Sequence, residues 1–356
     1  MKRKSIRPWL NSMVAGVMMG ASITAMASGN HAFVPMGLAD AVGVIDLESY
    51  QMTATIPDTI NTHGSALTPD GKYLVAGSLT PRDTEENVSR PEGMTEDEHA
   101  AHHGGSGKAP ADEQSTGLLY VVDTTTHSIV RKLEVPSPVH HVLVTADGRY
   151  AVSTHPMGGG ISIVSLNSGQ VVATVATGPA PNYVTETEDG QSLLVSNTGN
   201  GTVSEIDTQN WFVERNMRIG GSLGHMVLSP DNDRLYVNDD SAGRVVALDL
   251  STGTVAGEYT VGKAPHGVGL SPDGQTLYAT SQGDDRLVRI TLDDGTRQSI
   301  DLPPAPYHLA VAPTDGRLLV TSSEESKLWV IDPITLNIQH DIPLNGIGHQ
   351  ISLAPR

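Results

Sequence analysis

Three features of this 356-residue sequence predict an all-β fold, a seven-bladed β-propeller with four-stranded antiparallel blades and a split closing blade. The first is a repeat of about 42 residues running from Thr62 to the end of the chain. The second is a common order of strands and turns inside the repeats. The third is a pair of incomplete copies, one at each end, that complete one another.

Each repeat opens with a strand and a turn, as in THGSALTPDGKYLV from Thr62, HHVLVTADGRYAV from His140 and GHMVLSPDNDRLYV from Gly224. The same pattern appears in PHGVGLSPDGQTLYA from Pro265 and YHLAVAPTDGRLLV from Tyr307. Apolar residues alternate over short runs rich in Val, Leu and Tyr, the pattern of strands. Pro-Asp-Gly reads as a turn because proline pre-sets one torsion and glycine accepts positive φ. A third strand ends in an aspartate, as in LLYVVD to Asp123, VSEID to Asp207, RVVALD to Asp249 and KLWVID to Asp332. A fourth strand follows.

Blades are expected to begin near 61, 138, 181, 223, 265 and 306, with the split blade starting near 347. The last copy, GHQISLAPR from Gly348, stops after one strand. The N-terminal segment supplies the three it lacks, at Ala32 to Pro35, Val42 to Asp46 and Met52 to Ile56. Joining them closes the ring and hides the edges of the sheet. An open solenoid would leave this complementarity without a reason.

The first 27 residues have the form of a signal peptide, with a basic start, an apolar stretch from Met13 to Met26 and Ala25-Met26-Ala27 as a cleavage pattern. A periplasmic location is therefore expected, with residues 28–356 forming the single propeller domain. The formal charge of −18 becomes about −22 without Lys2, Arg3, Lys4 and Arg7, a surface that repels nucleic acid. The chain has no cysteine, which excludes disulfides, thiolate ligands, c-type haem attachment and cysteine nucleophiles. An acidic, glycine-rich insertion at 80–117 carries His99, His102 and His103 between the second and third strands of the first blade.

Seven histidines sit at blade entrances: His63, His140, His141, His225, His266, His308 and His349. In a propeller the first strand of each blade lines the channel, so these seven are expected around one channel mouth. Imidazole is a natural neutral ligand for copper and zinc. The insertion histidines and His155 share that face and are candidate accessory ligands. Asp239, Asp240, Asp284, Asp285, Glu324 and Glu325 are also placed there, where they would concentrate cations. Met36, Met94, Met157 and Met226 could act as soft copper ligands, Met157 and Met226 foremost, although packing or loop roles account for them better. His31, His127 and His340 read as structural. His63, His140, His266 and His349 lie six residues before the proline position of the turn, and His141, His225 and His308 lie five before it. Neighbouring strand residues face opposite ways, so convergence needs a bulge or two layers of ligands. The third blade has Asn182 and Tyr183 instead.

The repeats resemble the YVTN-type seven-bladed propellers of secreted bacterial proteins across the whole mature chain. The seven histidines, with the adjacent pair His140 and His141, are similar to the set that holds the multinuclear copper cluster of nitrous oxide reductase. That family also has a cupredoxin domain with a second copper centre, which a chain without cysteine does not match. The His-containing insertion resembles the capture loops of periplasmic zinc metallochaperones.

The expected function is a periplasmic propeller that binds copper or zinc for sequestration or delivery. Its partner would be a metal-donor or metal-acceptor protein, such as a membrane transporter. A copper-dependent oxidoreductase and a non-catalytic scaffold are the alternatives. Binding through neutral imidazole is expected to weaken below about pH 6.

Overall fold

The computed structural model describes residues 30–81 and 116–354. The leader, Met94, His99, His102 and His103 lie outside the described residues. The strands form seven four-stranded antiparallel sheets, as the repeats predict. Their innermost strands are Thr62–Leu67, Val142–Val144, Pro181–Glu186, Leu223–Leu228, Pro265–Leu270, Pro306–Val311 and Ser352–Leu353. The last of these closes the ring. It pairs with His31–Met36 through Ala32 opposite Leu353 and Phe33 opposite Ser352. Ala41–Asp46 and Gln51–Pro57 complete that blade. Blade 1 is tied to the closing blade by a 2.7 Å hydrogen bond between the Ser65 and Ser352 hydroxyls.

Burial follows strand position within the blade. The second strand Tyr73–Ser78 is buried from Leu74 onward, because both of its faces pack on neighbouring blades. The outer strand Gln51–Pro57 alternates exposed and half-buried residues, since only one face meets the core. The apolar side chains gather in seven clusters, which include Leu74 with Tyr120 and Leu193 with Ile206. Burying each such leucine or isoleucine contributes about 1.5–3 kcal/mol.

The turns repeat as faithfully as the strands. Asp70 accepts from the Thr68 hydroxyl at 2.5 Å and from the Lys72 amide at 3.1 Å, and Gly71 takes φ 68°. The equivalent residue in the fourth blade is Asn232 at φ 60°, since asparagine tolerates the left-handed region. The aspartates that end the third strands accept from the backbone two and three residues on. Asp123, for example, bonds Thr125 N at 2.9 Å and Thr126 N at 2.8 Å. Hydrogen bonds from Ser251 and Thr252 draw the Asp249 carboxyl down to about 2. Much of the chain's negative charge is thus built into its turns.

Candidate metal centre

The two histidine spacings are reconciled by a bulge at the head of the inner strands. Regular pairing with the second strand skips residues 63 and 64, 182 and 183, 224 and 225, 266 and 267, and 307 and 308. In the second blade pairing begins only at Val142, which leaves His140 and His141 in the corresponding positions. His349 and Gln350 hold them in the closing blade, just ahead of Ser352–Leu353. A bulge sets two residues against one and re-aims their side chains.

Both positions therefore deliver rings to the axis, in two tiers. His63, His140, His266 and His349 make the first, and His141, His225 and His308 the second. His63 lies 4.4 Å, centroid to centroid, from both His140 and His349. His225 lies 4.7 Å from both His141 and His308. The tiers join through His63 and His141 at 5.1 Å and through His225 and His266 at 4.4 Å. All seven entrance histidines form one cluster.

Glycine makes room for it. A Cβ on Gly64 would fall 2.5 Å from His141 Cα, and one on Gly267 would fall 2.6 Å from Tyr307 O and Leu309 N. A His-Gly bulge on one blade thus lets the second-tier histidine of the next blade come close.

Hydroxyl latches hold the bulges in place. Thr154 Oγ1 accepts from His141 N at 3.0 Å and donates to Asn182 O of the next blade at 2.8 Å. Thr280 repeats this between Gly267 N (2.8 Å) and Tyr307 O (2.7 Å), and Ser196 between Tyr183 N (3.1 Å) and Gly224 O (2.7 Å). Asn238 donates to His266 O at 3.0 Å.

A family model described as outer membrane protein assembly factor BamB matches residues 82–339. The chain belongs to this family. Among solved structures it is similar to a candidate 6-phosphogluconolactonase from Bacteroides fragilis, at 15% identity and a TM-score of 0.69, over 92% of this chain and 98% of that one. Kuenenia stuttgartiensis hydrazine synthase matches at 15% identity and a TM-score of 0.63, over 93% and 99%. A functionally unknown protein from Desulfotomaculum acetoxidans matches at 15% and 0.68, over 92% and 99%. These likenesses establish the fold. No curated protein matches the chain.

The chemistry of the site turns on the state of its imidazoles. His63, His141, His225 and His308 expose 6% of their surface or less. These four rings are closed off from solvent at the head of the inner strands, while His140, His266 and His349 are half-buried. Among the described residues His63 has no hydrogen-bond partner on either ring nitrogen, and Nε2 of His266 and of His308 has none. Buried polar atoms left in this condition cost about 1–3 kcal/mol each. Three triplets have ligand nitrogens within 4.8 Å of one another: His63, His308 and His349; His63, His140 and His141; and His225, His266 and His308. Two nitrogens bound to one ion at about 2.0–2.1 Å stand roughly 3.3–4.2 Å apart, so small side-chain adjustments bring each triplet onto an ion.

Burial pushes the imidazole pKa values down, to about 4 for His140 and about 3 for His266, where the neighbouring histidines add to the shift. His63, His141, His225 and His308 fall well below the usual value for the same reasons, burial first. These six imidazoles stay neutral to a lower pH than a free imidazole does.

The remaining candidates have other partners. His155 Nδ1 contacts Pro138 O at 3.0 Å, and its Nε2 contacts the Ser162 hydroxyl at 2.8 Å and that of Ser153 at 3.2 Å. It is in none of the triplets. It takes the place filled by Asn197, Asp239, Ser281 and Ser322 in other blades, each bonded to the loop before its own inner strand. Asp239 is fully buried and ion-paired with Arg244 at 3.1 Å. Asp284 accepts from Lys263 N at 2.8 Å and Asp285 from Ala305 N at 2.6 Å. These carboxylates fasten loops. Met157 is 55% exposed, and Met226 is buried among Leu194, Val237 and Leu248. His340 stacks on Tyr50 at 3.9 Å, and His31 lies 3.9 Å from Asp46.

Sequence reasoning did not find Tyr183, Tyr307 and Gln350 as members of the cluster. Tyr307 stacks on His266 at 3.9 Å, and Gln350 Oε1 bonds His141 Nδ1 at 3.0 Å. The signal was their alignment with the histidine positions of other blades.

Proposed function

We propose that the protein holds copper in a buried centre built from the channel imidazoles, and that it does so after export to the periplasm. The observation that carries this reading is the cluster itself, with four buried ring nitrogens on His63, His266 and His308 that have no protein partner.

Copper is favoured over zinc on grounds of charge. The triplets contain histidine alone, so no ligand charge offsets that of an ion they enclose. The cost of burying an ion grows with the square of its charge, and a monovalent ion suits an all-imidazole site better than a divalent one. Divalent ions would need bridging anions from solution.

Ligand arithmetic sets the stoichiometry. A neutral imidazole has one unprotonated nitrogen and serves one ion. His63 and His308 each belong to two triplets. Two complete triplets therefore coexist only as His63, His140 and His141 together with His225, His266 and His308. His141 is oriented by Gln350 and the bulge by Thr154, the kind of support that fixes a ligand ring.

Burial favours a resident centre over a transfer site, and a copper-dependent oxidoreductase is the catalytic form of that reading. Its likeness to nitrous oxide reductase lies in the ligand set. Sequestration or delivery to a metal-acceptor protein is the second reading. It is supported by His140 and His266, which are only partly buried and would receive an ion first.

The test is anaerobic loading with Cu(I), in parallel with Zn(II), followed by elemental mass spectrometry. Two coppers per chain are expected, falling to one in His140→Ala/His141→Ala. A chain that takes up neither metal is a histidine-rich scaffold, and the proposal fails.

A further inference from the structure

Beyond the second tier the channel holds a cavity of about 280 Å³. Its polar groups, Tyr183, His225, His308 and Gln350, stand at the bulge end of the inner strands. Its walls are the residues that follow them along those strands, including Val227, Val268, Leu309 and Val311. His225 and His308 are 6% and 2% exposed, whereas Val227, Ala310 and Val311 are only half-buried. The cavity therefore opens toward the face of the Pro-Asp-Gly turns. The other side of the second tier is occupied by the first. The two tiers face opposite ends of the channel.

Hydrogen bonds settle how the polar end is arranged. Gln350 Oε1 accepts from Ser65 N at 3.1 Å, so the amide cannot be turned over. The same oxygen takes the Nδ1 proton of His141, which leaves His141 Nε2 unprotonated to accept from His225 Nε2 at 3.0 Å. Gln350 Nε2 is thereby directed at the Tyr183 hydroxyl, 3.5 Å away. The amide keeps a second N–H, and the tyrosine keeps its own proton to donate. Two donors thus line the same cavity as His308, whose Nε2 has no partner among the described residues.

We propose that this cavity binds a small neutral molecule of a few non-hydrogen atoms, which enters from the turn face. One end would ligate the ion held by His225, His266 and His308, and the other would accept a hydrogen bond from Tyr183 or Gln350. This rests on the copper reading above. Size and charge define the class. The volume lies just under the range of about 300–1,000 Å³ typical of pockets for larger organic ligands. No charged side chain lines it, so an ion confined there would lose its hydration without a counter-charge.

Carbon monoxide is a suitable probe because it is neutral, binds Cu(I), and has an infrared stretch sensitive to hydrogen bonding at its oxygen. Copper content is measured first, in the wild type, Ala310→Phe, Val227→Phe and Tyr183→Phe. The wild type is expected to show a carbon monoxide band. Ala310→Phe and Val227→Phe fill the cavity from two walls and are expected to lose the band while keeping their copper. Tyr183→Phe is expected to keep the band and shift it to higher frequency, which tests the pocket even if both wall variants misfold. A copper-loaded wild type without a band overturns the pocket and leaves the metal centre standing. Unchanged bands in all three variants overturn the cavity as the binding place. A wild type that takes up no copper overturns the metal reading, and the pocket with it.

Discussion

Replacing His63 by leucine should stabilise the metal-free protein and weaken its response to metal. His63 is 3% exposed, and neither of its nitrogens has a hydrogen-bond partner. A neutral imidazole in that position forgoes one donor and one acceptor bond, at about 1–3 kcal/mol each. Leucine has similar bulk and nothing to desolvate. Allowing for the lost stacking on His140, His63→Leu should gain about 2 kcal/mol in the metal-free state. For a domain of this size that is about 3 °C in Tm.

Metal reverses the order. An ion bound at a hundred times its Kd stabilises the wild type by about 2.7 kcal/mol per site. His63→Leu loses the triplets that contain His63 and should gain less. Urea denaturation of stripped and Cu(I)-loaded samples of both proteins gives the four values needed. If stripped His63→Leu is less stable than the wild type by several kcal/mol, His63 is an ordinary packed residue and the reasoning is wrong.

Acid should destabilise the metal-free protein well before its carboxylates titrate. The folded-state pKa values of His140 and His266, about 4 and about 3, lie below the unfolded value of 6.5. The unfolded chain thus takes up more protons in between, and stability that is complete above about 6.5 is lost as pH falls toward 4 and 3. By linkage His140 alone accounts for about 2 kcal/mol between pH 7 and pH 5, readable from urea midpoints at the two values. Thr280→Val leaves Gly267 N and Tyr307 O without their latch. It should cost about 2–6 kcal/mol at two groups of 1–3 each, and calorimetric titration should show weaker copper binding. Gly267→Ala drives a Cβ to 2.6 Å from the backbone on either side of His308. Copper content should fall from two toward one in this variant even when its circular dichroism is native.

The architecture was legible in the sequence because it depends on periodic signals that many residues share. Turn aspartates, left-handed glycines and alternating strands recur in blade after blade, and one defective copy does not hide the period. Pairing of Ala32 with Leu353 was readable from the arithmetic of strands missing at one end and surplus at the other. His155 is a residue the periodic signals do not reach. Its partners Pro138 O, Ser153 and Ser162 lie in its own blade, and nothing in the THPMGGG sequence distinguishes a structural imidazole from a ligand.

The centre was half legible, and the missing half is instructive. Two spacings, five and six residues before the turn, conflict if strands are taken as regular, since one of the two sets must then point away from the axis. The conflict disappears once each inner strand is allowed an unpaired pair of residues. The sequence did mark that pair: His63-Gly64, Gly224-His225 and His266-Gly267 alternate a ring with a glycine, and each glycine is enforced by a contact of 2.5–2.9 Å. A strand that only needed to pack would not keep a histidine on one bulge position and empty the other. Such alternation is what interlocking rings from neighbouring blades require, and it makes the two spacings a sign of one centre with two tiers.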